Sequence, residues 1–263
     1  MNVKILHDKS IIESHFRKNT DLNIYSIGDL DDFFWKYTTW FAIGDGDKIE
    51  QIVLLYEGSE LPTLLAITDN NIDTMITLIE KIKDKLPGEI YCHLSKGVIN
   101  AFEKKSILRV CGVYYKMSLK EKNLLIKDEN KKVKRLLPGD IAIIKALYEA
   151  SYPENFFDNR MLKTGKYFGY FEKGELIGIS GIHVYSDKYR VATLGNITIN
   201  PAHRGKSICQ KLTSALCIDL LQTVDNIGLN VGVKNFSAIN CYKKIGFEII
   251  GEYEEFLIEN KID

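Results

Sequence analysis

Apolar residues along the chain recur at two spacings, and the changes between them mark out elements. In the second half, Ile208, Leu212, Ala215, Leu216 and Leu220 fall three and four residues apart, the stripe of an amphipathic helix predicted over about 205–223. Apolar runs bounded by turn residues predict strands at 166–171, 176–184, 190–199, 227–231 and 247–257. Pro138, Gly139 and Asp140 open a further helix to about residue 150, and a short one is expected over 237–244. This is an α+β order with a mixed sheet. The first half repeats it, with strands at 37–43, 49–56, 61–67 and 89–94, and a long helix marked by Ile72, Met75, Ile76, Ile79 and Ile82. A short helix at 98–104 and a strand at 107–117 complete the repeat. A shift of 140 brings Ile99, Asn100 and Lys104 onto Ile239, Asn240 and Lys244, in keeping with an ancient duplication.

Between the halves, residues 119–135 lose apolar periodicity, so domains are expected at 1–120 and 132–263, joined by a linker at 121–131. The 35 Lys and Arg equal the 35 Asp and Glu, which removes the electrostatic case for a nucleic-acid or anionic-membrane partner. No run approaches the roughly 20 apolar residues of a membrane helix, and the first ten residues lack an apolar signal core, so a cytoplasmic protein is expected. The five cysteines are scattered without C-x-x-C spacing, and no histidines stand at H-x-x-x-H. We expect small buried thiols and no metal site.

The candidate chemistry lies where the third strand of the second half runs through Asn200, Pro201, Ala202, His203, Arg204, Gly205, Lys206 and Ser207 into the long helix. A strand, a tight turn with Gly and a helix start together aim several unpaired backbone N–H groups in one direction, along the positive end of the helix dipole. Such a turn is a diphosphate cradle, and Arg204 and Lys206 add cationic donors. An ordinary helix start with solvated basic residues is the plainer reading of the same spacing.

Downstream, Asn235, Ala238, Tyr242, Gly246 and Phe247 stand in a helix–turn–strand setting. Together the two segments, over roughly 138–256, resemble the GNAT superfamily of N-acetyltransferases, whose patterns are V-x-P-x-x-R-G-x-G-x-G/A and N-x-x-A-x-x-x-Y-x-k-x-G-F. The chain departs from the first pattern at Ser207 and Cys209, small residues where the family has its second and third glycines. Cys209 is read as a structural residue and not a nucleophile.

The resemblance implies two GNAT-like domains, each a mixed, mostly antiparallel sheet flanked by helices. It implies acetyl-CoA across the helix start, with main-chain groups of Arg204, Gly205, Lys206, Ser207, Ile208 and Cys209 on the pyrophosphate. Asn196, Ile197, Thr198 and Ile199 would hydrogen-bond the pantetheine amides, Asn235 and Ala238 would line the cofactor arm, and Tyr242 would face the thioester sulfur. The reaction would be direct attack by a primary amine in a ternary complex, without metal; a non-catalytic acyl-CoA sensor is the alternative. The acceptor is open among a small metabolite, an amino acid, an antibiotic and a peptide N-terminus, and the sequence sets no oligomeric state.

For the base, the third strand supplies no carboxylate. Candidates are Asn196 or a backbone carbonyl holding a relay water, Glu154, and Glu252, Glu254 or Glu255. The aromatic segment 152–157 suits an acceptor-site wall or core packing. In the first half, the long helix begins at Thr68, Asp69, Asn70 and Asn71, with no R-G-x-G, and the 140 shift puts Phe102 and Ser95 at the places of Tyr242 and Asn235. An inactive half that helps to wall the acceptor site is expected there, with the aromatic residues from Phe33 to Phe41 assigned to its core.

Overall fold

The computed structural model describes residues 1–46, 48–127 and 131–260. Asp47 of an expected turn, residues 128–130 of the expected linker and residues 261–263 lie outside the described residues. The chain divides into two compact units, Met1–Lys116 with Ile250–Asp263, and Met117–Ile249. This differs from the expected domain limits at both ends. The backbone N–H groups of Lys120 and Glu121 donate to the Gly246 carbonyl at 2.9 and 3.1 Å, so the last residue of the expected first domain and the first of the expected linker are built into the second unit. Gly246 itself has φ +97, and a Cβ there would lie 2.2 Å from the Glu121 carbonyl oxygen, so glycine is required on both grounds.

The first unit begins with β1 (Asn2–Leu6) and three helices, α1 (Lys9–Phe16), α2 (Ile24–Gly28) and α3 (Asp32–Trp35). Asp8 starts α1 by accepting from the Ser10 and Ile11 amides, and Asp31 starts α3 by accepting from Phe33. Then follow β2 (Thr38–Asp45), β3 (Lys48–Tyr56), β4 (Thr63–Ala66), α4 (Ile72–Ile82), β5 (Glu89–Leu94) and β6 (Ile107–Leu119), the last crossing into the second unit after Lys116. Strands β1 to β4 pair antiparallel in order, and β4 pairs parallel with β5. Met75, Leu78, Ile79 and Ile82 of α4 are fully buried against Phe41, Ile43, Val53, Leu64, Ile90 and Cys92. Each such side chain contributes about 1.5–3 kcal/mol. Of the aromatic residues assigned to the core, Phe34, Trp40 and Phe41 are buried, whereas Phe33, Trp35 and Tyr37 are partly exposed. The helix expected over 98–104 is instead two 3-10 turns, Val98–Ala101 and Lys104–Ser106, because Phe102 and Glu103 adopt extended backbone between them.

The second unit comprises β7 (Val133–Arg135), α5 (Ile141–Ser151), β8 (Phe168–Glu172), β9 (Glu175–Ser186), β10 (Val191–Ile199), α6 (Ile208–Leu220), β11 (Asn226–Gly232), α7 (Phe236–Lys244) and the start of β12 (Phe247–Glu259). Strands β7 to β10 pair antiparallel in order and β10 pairs parallel with β11. Ile208, Leu212, Leu216 and Leu220, one per turn of α6, are buried, the first two against Tyr170, Ile177 and Ile199. From Ile250 onward β12 belongs to the first unit, where Glu254 to Glu259 pair antiparallel with β5 and bury Phe256 and Ile258.

Candidate functional site

The site is built on a break in the pairing of β10. Between the pairs Gly195↔Gly181 and Thr198↔Ile179, β10 holds one residue more than β9, a β-bulge centred on Asn196, whose φ is +54. A bulge bends its strand. The parallel ladder of β10 with β11 runs from Val191↔Asn226 to Leu194↔Leu229, while the strands continue to Ile199 and Gly232. Beyond Leu194 the ladder with β11 ends, and of the later β10 carbonyls those of Asn196 and Ile199 accept from Tyr148 and Arg204.

Asn196 is buried and its polar groups are engaged. Its carbonyl accepts from the Tyr148 hydroxyl at 2.7 Å, its Oδ1 accepts from the Phe156 amide at 3.0 Å, and its Nδ2 donates to the Tyr167 hydroxyl at 3.0 Å. Tyr167 in turn donates to the Ile182 carbonyl at 2.9 Å. Burial pushes both tyrosine hydroxyls up, so they stay protonated and act as donors. Sequence reasoning did not single out these two tyrosines, because no local pattern connects either to Asn196. Phe157 packs between the Tyr148 and Tyr167 rings, with centroids 5.4 Å from each, and Phe156 is left 61% exposed. The segment 152–157 is therefore anchored by one aromatic residue and presents another to solvent.

After β10, Asn200 accepts from the Ala202 amide at 3.0 Å to start a single 3-10 turn, Pro201–His203. Arg204 folds back, its Nε donating to the Ile199 carbonyl at 3.0 Å, while Lys206 is exposed. Gly205 (φ +79) and Ser207 (φ +56) are both left-handed, and Ser207 is the N-cap of α6 without a side-chain capping bond. Amides of the first turn of α6 therefore receive no cap from Ser207, and the positive end of the helix dipole lies over them. At Ser207 the left-handed backbone costs about 1–2 kcal/mol that glycine would not incur. Cys209 turns its side chain inward onto the Ile177–Ile199–Leu212 cluster, with Sγ 3.9 Å from the Thr213 hydroxyl.

On α7, Asn235 caps the helix, its Oδ1 accepting from Ala238 at 3.2 Å, and the neighbouring Phe236 is 70% exposed. Seven residues on from Asn235, Tyr242 is buried with its ring 6.0 Å from that of Phe247. Burial above all, reinforced by the thiols of Cys209 and Cys241 and by Tyr152, pushes its hydroxyl well above the ordinary phenol value. Tyr242 can give a proton or a hydrogen bond and cannot serve as a base near neutrality. Of the candidate carboxylates, Glu154 is exposed in the second unit, whereas Glu252, Glu254 and Glu255 fall in the first. Glu255 is buried there, accepting from Tyr91 and from Tyr253 at 2.6 Å, with His93 Nε2 at 3.3 Å.

Residues 138–247 match the acetyltransferase (GNAT) family. That segment is similar to the family and lies within the second unit. Over its full length the chain is similar in fold to an acetyltransferase of the GNAT family from Colwellia psychrerythraea, 15% identical, covering 98% of this chain and 100% of the other with TM-score 0.59. A tandem GNAT protein from the clavulanic acid biosynthesis pathway is 12% identical, with 100% of both chains covered and TM-score 0.58. A Drosophila protein is 11% identical over 98% of this chain and 99% of its own, with TM-score 0.73. No curated protein sequence matches the chain. The fold is thus α+β with two GNAT-like units. No helix among the described residues is long and apolar enough to cross a membrane.

Proposed function

We propose that the second unit binds acetyl-CoA and transfers its acetyl group directly to a primary amine of a small molecule or peptide. The observation that carries this reading is the uncapped start of α6 next to the parting of β10 from β11. The fit is to a group with anionic oxygens at one end and amides along its length. Main-chain N–H groups from Gly205 to Cys209 would hold the diphosphate, and the β10 backbone from Ile197 to Ile199 would pair with the amide-bearing arm. Asn235 and Ala238 would flank that arm. When bound, acetyl-CoA would supply an activated acetyl thioester.

The residues of the chain would then manage the protons. A departing thiolate, with a pKa near 8.5, needs a donor, and a phenol near 10 is mismatched by about 2 kcal/mol in water. A hydrogen bond from Tyr242 that strengthens as charge grows on sulfur offsets that mismatch. The acceptor ammonium, with a pKa near 10.4, is neutral in about one molecule in 2,500 at pH 7, a cost of about 4.6 kcal/mol. Its proton would leave through water, because the amide of Asn196 is occupied in holding the bulge and the Phe156 backbone. The same occupied amide favours the alternative, an acyl-CoA sensor without turnover. Acetyl transfer over a panel of amines, measured beside calorimetry with CoA, tests the proposal: turnover of any amine supports it, binding without turnover selects the sensor, and no binding removes both.

A further inference from the structure

We propose that His183 is the general base for the acceptor amine and that Asn230 holds the amine nitrogen next to it. This assignment rests on the acetyl transfer proposed above and supplies the base for which β10 has no carboxylate. His183 is the extra residue of a second bulge in the β9–β10 ladder: Thr193 pairs with Val184 and Leu194 with Ile182, so His183 has no counterpart on β10. A bulge re-aims its side chain. Here the half-buried imidazole lies over Gly195, where a Cβ would come within 2.0 Å of its Cδ2 and 2.2 Å of its Nε2. Glycine is required at 195 by the ring that covers it. The place of a β10 side chain, one residue before the bulge at Asn196, is thus taken by an imidazole from β9.

A second observation falls at the same level of the sheet. The β10–β11 ladder ends at Leu194↔Leu229, so Gly195 and Asn230 are the next residues on their strands. Asn230 Oδ1 is buried and accepts no hydrogen bond among the described residues. Such an acceptor is costly to leave unmatched, and an amine N–H would match it. An imidazole takes up and releases protons near neutrality. The acceptor ammonium, held by Asn230 Oδ1, gives one proton through a water to His183. The freed amine attacks the thioester carbonyl and the C–N bond forms. The C–S bond breaks as the sulfur takes up a second amine proton, and the third stays on the amide nitrogen. In sum, an ammonium and a thioester become an amide, a thiol and one proton, which His183 passes to solvent.

The test uses the full chain and two readouts. In imidazole nitrogen–proton spectra, the His183 signals, assigned by their loss in His183→Gln, should shift on addition of acetyl-CoA. In steady-state kinetics, His183→Gln should lower kcat/KM about 100-fold for the primary amine turned over fastest in the panel, but less than about threefold for hydroxylamine, which is uncharged at neutral pH and has no ammonium proton to lose. Asn230→Ala should raise the KM for that amine about tenfold with a smaller change in kcat. Calorimetry should show unchanged CoA affinity in both variants. A wild-type chain that binds no CoA would remove the acetyl-transfer reading itself. With CoA bound, any of four results would overturn the assignment alone: His183 signals that acetyl-CoA leaves unmoved, an undiminished rate or an equal loss for the amine and hydroxylamine in His183→Gln, no transfer to either acceptor, or CoA affinity lost in both variants.

Discussion

The long helices of the two units, α4 and α6, both start from a left-handed residue, Asn71 at φ +49 and Ser207 at φ +56, yet their first turns are treated in opposite ways. Asn71 caps its own helix, with Oδ1 accepting from the Thr74 amide at 3.3 Å, and Gln51 reaches over to the Asn70 carbonyl at 3.0 Å. Ser207 caps nothing. The strands preceding the helices differ in the same sense. In the first unit, β4 and β5 stay paired to their ends, and Ser95 then bonds the Ala66 carbonyl through its amide and both backbone groups of Thr68 through its hydroxyl. In the second, β10 bulges and leaves β11 after Leu194. One frame pairs its backbone to the strand ends and caps its helix; in the other the ladder stops short and Ser207 gives no cap, which is where the proposed function puts acetyl-CoA.

The largest expected effect on turnover comes from giving the second unit the residue found at the matching position of the first. Tyr242→Phe, which imitates Phe102, should lower kcat by about 10- to 100-fold, near 1.4–2.8 kcal/mol, with CoA affinity unchanged, as steady-state kinetics and calorimetry would show. The largest on stability is a pH effect confined to the first unit. Burial pushes the Asp29 carboxyl up to about 8 from 3.8. The folded state therefore keeps a proton that the unfolded chain releases above about pH 4, so this contribution is complete below that pH and declines as pH rises toward 8. Asp29→Asn should remove the decline, a gain on wild type that rises from about 1.6 kcal/mol at pH 5 to about 4 kcal/mol at pH 7 in urea melts.

Gly205→Val should weaken CoA binding about tenfold, or 1.4 kcal/mol, because a β-branched residue resists φ +79 although its Cβ would meet open space. Calorimetry with CoA reads this directly. Asn71→Ala, which uncaps α4, should cost about 1 kcal/mol of stability without creating a CoA site, since the strands before it stay stitched. The smallest effect is expected from Ser207→Gly, which relieves the left-handed strain and should raise stability by about 0.5–1 kcal/mol while leaving CoA affinity equal or tighter.

The comparison also explains what was legible in the sequence. The stripe Ile208–Leu212–Leu216–Leu220 and the spacing from Asn235 to Tyr242 are local patterns, and the helices they predict are present. Two features were not legible because they depend on partners far along the chain. The bulge at Asn196 is held by Tyr148, Tyr167 and Phe156, which no local period connects to it. The end of β12 alternates like any strand, and its membership in the first unit comes from pairing with β5, 160 residues away at Glu254↔Leu94. The opening strand and the three short helices α1 to α3 escaped because each is too short to show a period, and their starts rest on single caps such as Asp8 and Asp31.

Amide chemical shifts recorded while coenzyme A is added test the central claim most directly. The account predicts saturable shifts concentrated at residues 197–199 and 204–210, with the amides of 68–74 unmoved. Shifts centred on the start of α4, or a titration that moves neither helix start, would contradict it.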